Sequence, residues 1–361
     1  MNLGWKEIKH SKGKYVLIEG ILLLMVFMVL FLSGLANGLA RAVSASIETA
    51  EAPYFILSED AEKLITISSI DPDILDEITE MTSNEIAPFN LQRMNLNRID
   101  DSTKLDVTYF AIGEDSFLNP TIIQGEGLTV GKNEIILDQS FKEYGITIGE
   151  VVEDSSTGIE LTVVGFTKDA YYGHTSVGYI SLDTYQQIRR ELNPMYEASY
   201  HAVAVNGADV KNISIKGYEV VSKDNVVENI PGYKAEQTTI QMILWVLVVV
   251  SAAILGVFFY VITIQKEKQF GVLKAIGMPM RKIVGLIVSQ VMMLAGFSVV
   301  IGNVLTWAMS KMLPASMPFY LNGKHAILVS VAFLVVSFGC SLISTAKVAK
   351  VDPMISIGGK E

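Results

Sequence analysis

Hydrophobic residues along this chain follow two regimes. In four stretches, residues 20–40, 240–264, 283–310 and 326–346, apolar side chains run on with no charged residue among them. Each stretch is longer than the ~18 residues that suggest a membrane helix. Between the first two, residues 44–236 read as ordinary folded protein, with polar and apolar positions mixed. The pattern therefore predicts four transmembrane helices in a 1+3 arrangement, with a large domain inserted between helices one and two. The first run follows a basic leader (Lys6, Lys9, Lys12, Lys14), as a signal peptide would, but its apolar core extends from Val16 to about Ala40. A signal core is roughly 7–15 residues long, so an uncleaved helix is expected.

Within the inserted domain, local signals predict short strands mixed with short helices, an α+β pattern. Tyr54–Leu57, Val107–Ile112, Asn133–Asp138, Ile159–Phe166 and Tyr200–Val205 are rich in β-branched and aromatic residues and read as strands. Asp71–Met81 reads as a helix with Asp71 as cap and Pro72 at its first position. A short helix is expected after Asp138, ending at Gly145, and another over Leu182–Leu192.

Charge orients the chain. Residues 44–236 hold 33 acidic and 13 basic residues, while the rest holds 5 acidic and 15 basic. Lysine and arginine beside membrane helices stay cytoplasmic. The basic N-terminus, the loop carrying Lys266, Lys268, Lys274, Arg281 and Lys282, and the tail with Lys347, Lys350 and Lys360 are therefore expected inside. The expected layout is a cytoplasmic amphipathic segment 1–15, helix one 16–43, an extracytoplasmic domain 44–236, helix two 237–264, and a cytoplasmic segment 265–282. Helix three at 283–311, an outer loop 312–325, helix four at 326–346 and a cytoplasmic tail 347–361 follow. Trp5 and Tyr15 are expected as interfacial aromatics. A domain this acidic is ill suited to nucleic acid, whose phosphates must be neutralised by basic side chains.

The one cysteine, Cys340, lies in the fourth apolar run, so no disulfide forms within the chain and no cysteine metal site is expected. His10, His174, His201 and His325 show no metal-ligand spacing. No Ser/His/Asp arrangement or metal motif marks an enzyme, and no G-x-x-x-x-G-K-[ST] loop is present.

Three patterns carry a family resemblance. They are Lys268-Gln-Phe-Gly-Val-Leu-Lys-Ala-Ile-Gly-Met-Pro-Met-Arg-Lys-Ile283, the tail Ala346-Lys-Val-Ala-Lys-Val-Asp-Pro-Met-Ile355, and Asn133–Asp138 followed by Tyr144–Gly149 and Ile159–Phe166. Together with the 1+3 layout they resemble the FtsX-like, MacB-type permeases of ABC transporters, over nearly the whole chain. Within that family, Trp5–Ile8, Lys14-Tyr15, Met28–Ala40 and Asn229–Thr239 are similar to haem-exporting permeases of Gram-positive bacteria.

The resemblance implies a plasma-membrane permease that works as a homodimer with two copies of a cytoplasmic ABC ATPase and holds no cofactor of its own. ATP hydrolysis would then lie on the partner chain. Phe270, Leu273 and Ile276 fall on one helical stripe, with Gly271 beside them and Gly277 and Pro279 as stops. The resemblance assigns this segment to ATPase coupling. Haem as substrate implies an iron ligand, and Tyr171, Tyr172, His174, Tyr233, Met242, Met25 and Met28 are the candidates. Each also has an ordinary use as a packing or interfacial residue. Glu19, about one turn into helix one, is expected to snorkel to the near interface rather than act within the membrane. Gly34 and Gly38, four apart, could serve a dimer contact or packing within the chain. Two other functions stay open: export or sensing of an antimicrobial peptide or other amphiphile, and a non-transporting regulator of a cell-wall hydrolase.

Overall fold

The computed structural model describes residues 12–99, 101–210, 213–314 and 317–349. Trp5, the rest of the N-terminal amphipathic segment up to residue 11, and the tail from residue 350 lie outside them. The chain divides into two compact units, one of residues 1–38, 239–313 and 319–361, the other of residues 39–238 and 314–318.

Among the described residues, four helices are long and apolar enough to cross a membrane. They belong to α1 (Lys12–Thr49), α5 (Tyr233–Gln265), α7 (Met280–Ser310) and α8 (Gly323–Ala349). A short helix, α6 (Glu267–Ala275), stands between α5 and α7. Helix α1 runs past the expected end at residue 43, because Ala45 and Ile47 find buried positions beyond the apolar run. In the membrane unit, Leu22, Val26 and Leu30 of α1 pack with Leu255 and Phe259 of α5, and with Ile287, Val291 and Ala295 of α7. Lipid tails are as apolar as these side chains, so close packing rather than water exclusion holds such helices together. Gly302 shows it: a Cβ there would lie 2.8 Å from Val26 Cγ1, so α1 and α7 approach where the side chain is missing.

The inserted unit is α+β. Among the described residues, eleven strands form one sheet in the order β11-β1-β10-β2-β3-β9-β5-β7-β4, with β6 and β8 branching from it. They are β1 (Tyr54–Ser58), β2 (Glu85–Arg98), β3 (Asp101–Ile112), β4 (Ile122–Gly125), β5 (Glu134–Asp138), β6 (Val151–Asp154), β7 (Glu160–Thr167), β8 (Tyr171–Tyr172), β9 (Thr175–Ser181), β10 (Ala202–Asn206) and β11 (Tyr218–Ser222). Helices α2 (Ile74–Met81), α3 (Leu182–Leu192) and α4 (Lys223–Asn229) cover it. Helix α2 starts later than expected: Asp71 accepts a hydrogen bond from the Asp73 backbone N–H instead of capping, and Asp73 is the N-cap residue. Helix α3 forms as expected, with Ser181 Oγ accepting from the Thr184 N–H at 3.1 Å.

Period-two alternation splits the strands between cores. Phe55 and Leu57 face one core and Ile56 another; Ala202 and Ala204 oppose Val203 and Val205 in the same way. Phe110 of β3 joins the first core, whereas Val107 and Tyr109 join a third beneath α3. An aromatic column of Phe55, Phe89, Phe110 and Tyr179, drawn from β1, β2, β3 and β9, runs across the sheet with neighbouring ring centroids 5.9, 4.9 and 5.3 Å apart. Val43 and Ile47 of α1, and Val226, Val227 and Ile230 around α4, close this face.

Candidate functional site

In the inserted unit, the candidate iron ligands surround one tight turn. Tyr172 pairs with Thr175 across β8 and β9, leaving Gly173 and His174 as a two-residue loop. Both have positive φ, 55° and 65°, which is the type I′ geometry that suits a hairpin. The Gly173 and His174 N–H groups donate to the Val43 and Ala42 carbonyls of α1, each at 2.9 Å. The His174 imidazole Nε2 lies 3.1 Å from Glu236 Oε1, in the first turn of α5. Tyr233, which begins that helix, packs against the first core. His174 and Tyr233 are thus brought to one edge of the unit, although 59 positions part them in the chain.

Tyr171 and Tyr172 differ in what they offer. Burial raises the Tyr171 hydroxyl above the ordinary phenol range, and the nearby Asp138 carboxylate adds to this. Tyr172 is 7% exposed within the core, and burial likewise raises its hydroxyl. A phenolate ligand needs an approach route for the metal, which a side chain buried this far does not offer. Tyr172 is a core residue, and its candidacy as a ligand is corrected on that ground.

A cleft of about 430 Å³ opens in the same unit between the last turns of α1, the 116–121 loop and residues 167–170. Its walls include Arg41, Ser46, Lys168, Asp169 and Tyr179. Arg41 and Asp169 are 3.6 Å apart. Tyr179 is pushed up to about 12, chiefly by burial.

In the membrane unit, Met242 is 61% exposed on α5 and Met28 43% exposed on α1, while Met25 is partly buried against the helix core. Glu19 does not snorkel. Its Oε1 accepts a hydrogen bond at 2.8 Å from Ser298 Oγ of α7, a fully buried serine, because that hydroxyl offers a partner inside the bundle. Gly34 is an intrachain contact. A methyl group there would overlap the Phe319 ring, and the Tyr320 N–H donates to the Gly34 carbonyl at 3.0 Å. Gly38 is buried.

The coupling stripe divides. Phe270 is 2% exposed and packs, with Leu273 partly buried beside it, on the membrane-helix core. Gly271 is buried as well. Val272, at 47% exposed, and the C-cap residue Ile276, at 72%, are what α6 and its end present outward. Gly277 stops the segment with φ of 89°. Phe270 therefore anchors α6, and the expectation that its ring meets a partner is corrected.

One cluster escaped the sequence reading. Tyr15, expected at the interface, is 6% exposed, and its hydroxyl accepts a hydrogen bond from Lys266 Nζ at 2.6 Å. The same ammonium lies 3.2 Å from Gln290 Oε1 of α7. Gln290, one of two amides in an uncharged apolar run (the other is Asn303), was the available signal, since polar groups at such positions usually have partners.

Residues 241–353 match the FtsX-like permease C-terminal family. A Staphylococcus epidermidis protein described as a putative hemin transport system permease protein HrtB is 31% identical, over 99% of each chain. A Staphylococcus haemolyticus protein of the same description is 28% identical over the full length of both. Among solved structures, the periplasmic region of MacB from Actinobacillus actinomycetemcomitans covers 52% of this chain and 98% of its own, at 15% identity and a TM-score of 0.37.

Proposed function

Because the chain belongs to the FtsX-like permease family of ABC transporters, we propose that it is the membrane subunit of a haem efflux pump driven by a separate ATPase. The observation that carries the haem reading is end-to-end likeness to relatives named for hemin transport. The inserted domain and the α7–α8 loop then lie outside the cell and both termini inside, as the charge split favours. Two permease chains and two ATPase chains form the pump.

The energy step follows from what the chain lacks and what it exposes. It has no phosphate-binding loop, so nucleotide is bound by a partner. Val272 and Ile276 on α6 give that partner an apolar foothold between two membrane spans. Haem is a flat apolar ring with two carboxylates and an iron that accepts phenolate, imidazole or thioether. Tyr171, His174 and Tyr233 supply such groups in the inserted unit, and Met28 and Met242 supply them on the surfaces of membrane spans. Met25 would have to turn out of its packing to do so.

A haem titration of the purified permease tests this reading. The expected result is a saturable Soret band that shifts in Tyr233→Phe or Met242→Leu, with loss of haem tolerance in cells lacking the permease. If the wild-type protein gives no band and its loss leaves haem tolerance intact, haem is not the substrate. A peptide or another amphiphile then takes its place.

A further inference from the structure

We infer that Lys266 is the joint that makes the four membrane helices move with α6, and that its ammonium, held by Tyr15 and Gln290, is a positioning group for coupling. The inference rests on the reading that α6 meets the ATPase.

The helical run breaks at one residue. Helix α5 ends at Gln265 and α6 begins at Glu267, leaving Lys266 between them at φ −99° and ψ 4°. Its carbonyl accepts from the Phe270 N–H at 3.0 Å, closing the first turn of α6. Its side chain runs the other way, into the bundle. There Nζ reaches the Tyr15 hydroxyl of α1 at 2.6 Å and Gln290 Oε1 of α7 at 3.2 Å. It also stands 5.2 Å from the centre of the Tyr15 ring, within cation–π range. One turn earlier, Thr263 Oγ1 donates to Ser344 Oγ of α8 at 3.3 Å, and both residues are buried. The end of α5 and Lys266 after it therefore bind all three other spans immediately before α6.

That placement has a mechanical meaning. A short helix joined to a long one through a single non-helical residue can swing about it. A load on α6 then bends the joint unless the joint is itself held. Ordinary apolar packing would let neighbouring helices slide. Hydrogen bonds from one ammonium to two helices have fixed directions and short range, so sliding breaks them. A void of about 20 Å³ beside the cluster, walled by Tyr15, Phe259, Phe270 and Gln290 among others, has room for about one water. It lets the ammonium turn without forcing the side chains around it.

The test needs no knowledge of the transported molecule. In a Cys340→Ser background, a spin label is placed at Lys324, an exposed residue in the first turn of α8. Distances between the two protomers are measured in nanodiscs containing the ATPase, with and without ATP and vanadate. Lys266→Met removes the ammonium and keeps the stem. Tyr15→Phe removes only its hydroxyl acceptor and leaves the ring. Both are expected to lower the ratio of shifted to unshifted species roughly tenfold, in the range of ordinary coupling energies. Lys266→Arg is expected to restore most of it. If Lys266→Met fails to accumulate, Tyr15→Phe decides. A wild-type ATP response in Tyr15→Phe with the ATPase bound overturns the inference. Failure of the underlying reading looks different: Ile276→Asp would leave the ATPase bound as in wild type.

Discussion

The His174 imidazole sits 3.1 Å from the Glu236 carboxylate, so the tip of a β-hairpin grips the first turn of helix α5. The hairpin also donates two backbone hydrogen bonds to α1. Side-chain pairs this exposed contribute little, about 0.2–1 kcal/mol, so the backbone bonds do most of the holding. His174→Ala is expected to speed hydrogen exchange at the Gly173 and His174 amides several-fold while strand amides in β9 stay protected. Equal loss of protection across β9 would mean the turn holds more of the domain than this geometry allows.

A second histidine sets an acid limit. His201 Nδ1 accepts from the Leu91 N–H at 3.0 Å. Burial, then the Arg189 charge, lowers its pKa from 6.5 to about 4. The unfolded chain takes up this proton near pH 6.5, and the native state refuses it until about pH 4. Stability is thus full above pH 6.5 and falls as the pH drops through that window, by roughly 3 kcal/mol at most. His201→Asn keeps an acceptor and cannot titrate. It should flatten the acid dependence of hydrogen exchange in β2, and an unchanged slope would clear His201 of the effect.

Exposure separates the two halves of the coupling stripe. Ile276→Asp places a charge at the exposed C-cap of α6 and should abolish co-purification of the ATPase with normal permease levels. Phe270→Asp buries a carboxylate among the spans, at a cost of several kcal/mol, and should deplete the permease itself from the membrane. The reverse pattern in quantitative blots would contradict the burial seen here.

Gly34 and Phe319 offer a rescue experiment. Gly34→Ala pushes a methyl against the Phe319 ring, and overpacking of this kind costs about 1–3 kcal/mol. The thermal midpoint in detergent should fall, and Phe319→Ala added to Gly34→Ala should recover part of the loss. Additive losses would show that the ring is not what the methyl meets.

Orientation is open to direct chemistry. In the Cys340→Ser background, a cysteine at Asp115 should react with an impermeant thiol reagent on intact cells, and one at Lys268 only after lysis. The opposite labelling would invert the topology.

The legible parts of the fold were those written in contiguous residues. Helix α3 could be placed because Ser181 caps it and Leu182–Leu192 carries its own periodicity, and the four spans because apolar runs need no partner to be recognised. Strand β2 escaped because Pro88 lacks an N–H and its later residues alternate with Asn, Gln and Arg; its register is set from outside, with Pro88 opposite Val203 and Leu96 opposite Leu105. At the candidate sites the missing information was again long-range. The stripe of α6 is visible in Phe270, Leu273 and Ile276, but which member the spans would cover is not. Nothing local to Tyr15 reveals a lysine 251 positions away. Glu19 looked like an interfacial carboxylate because Ser298 belongs to another helix.

The pairing of β1 sets a timetable for synthesis. Tyr54–Ser58 is flanked only by β10 and β11, so it stays without neighbours until residues 202–222 have left the ribosome. Helix α1 precedes that strand, and α5 follows those residues after only the short helix α4. The sheet therefore completes itself only as the second span is being made, and local sequence cannot hurry so non-local a closure. During that interval an apolar strand, Tyr-Phe-Ile-Leu, hangs from an inserted helix with its edges bare. Any quality-control factor that meets this chain as it emerges will meet it there.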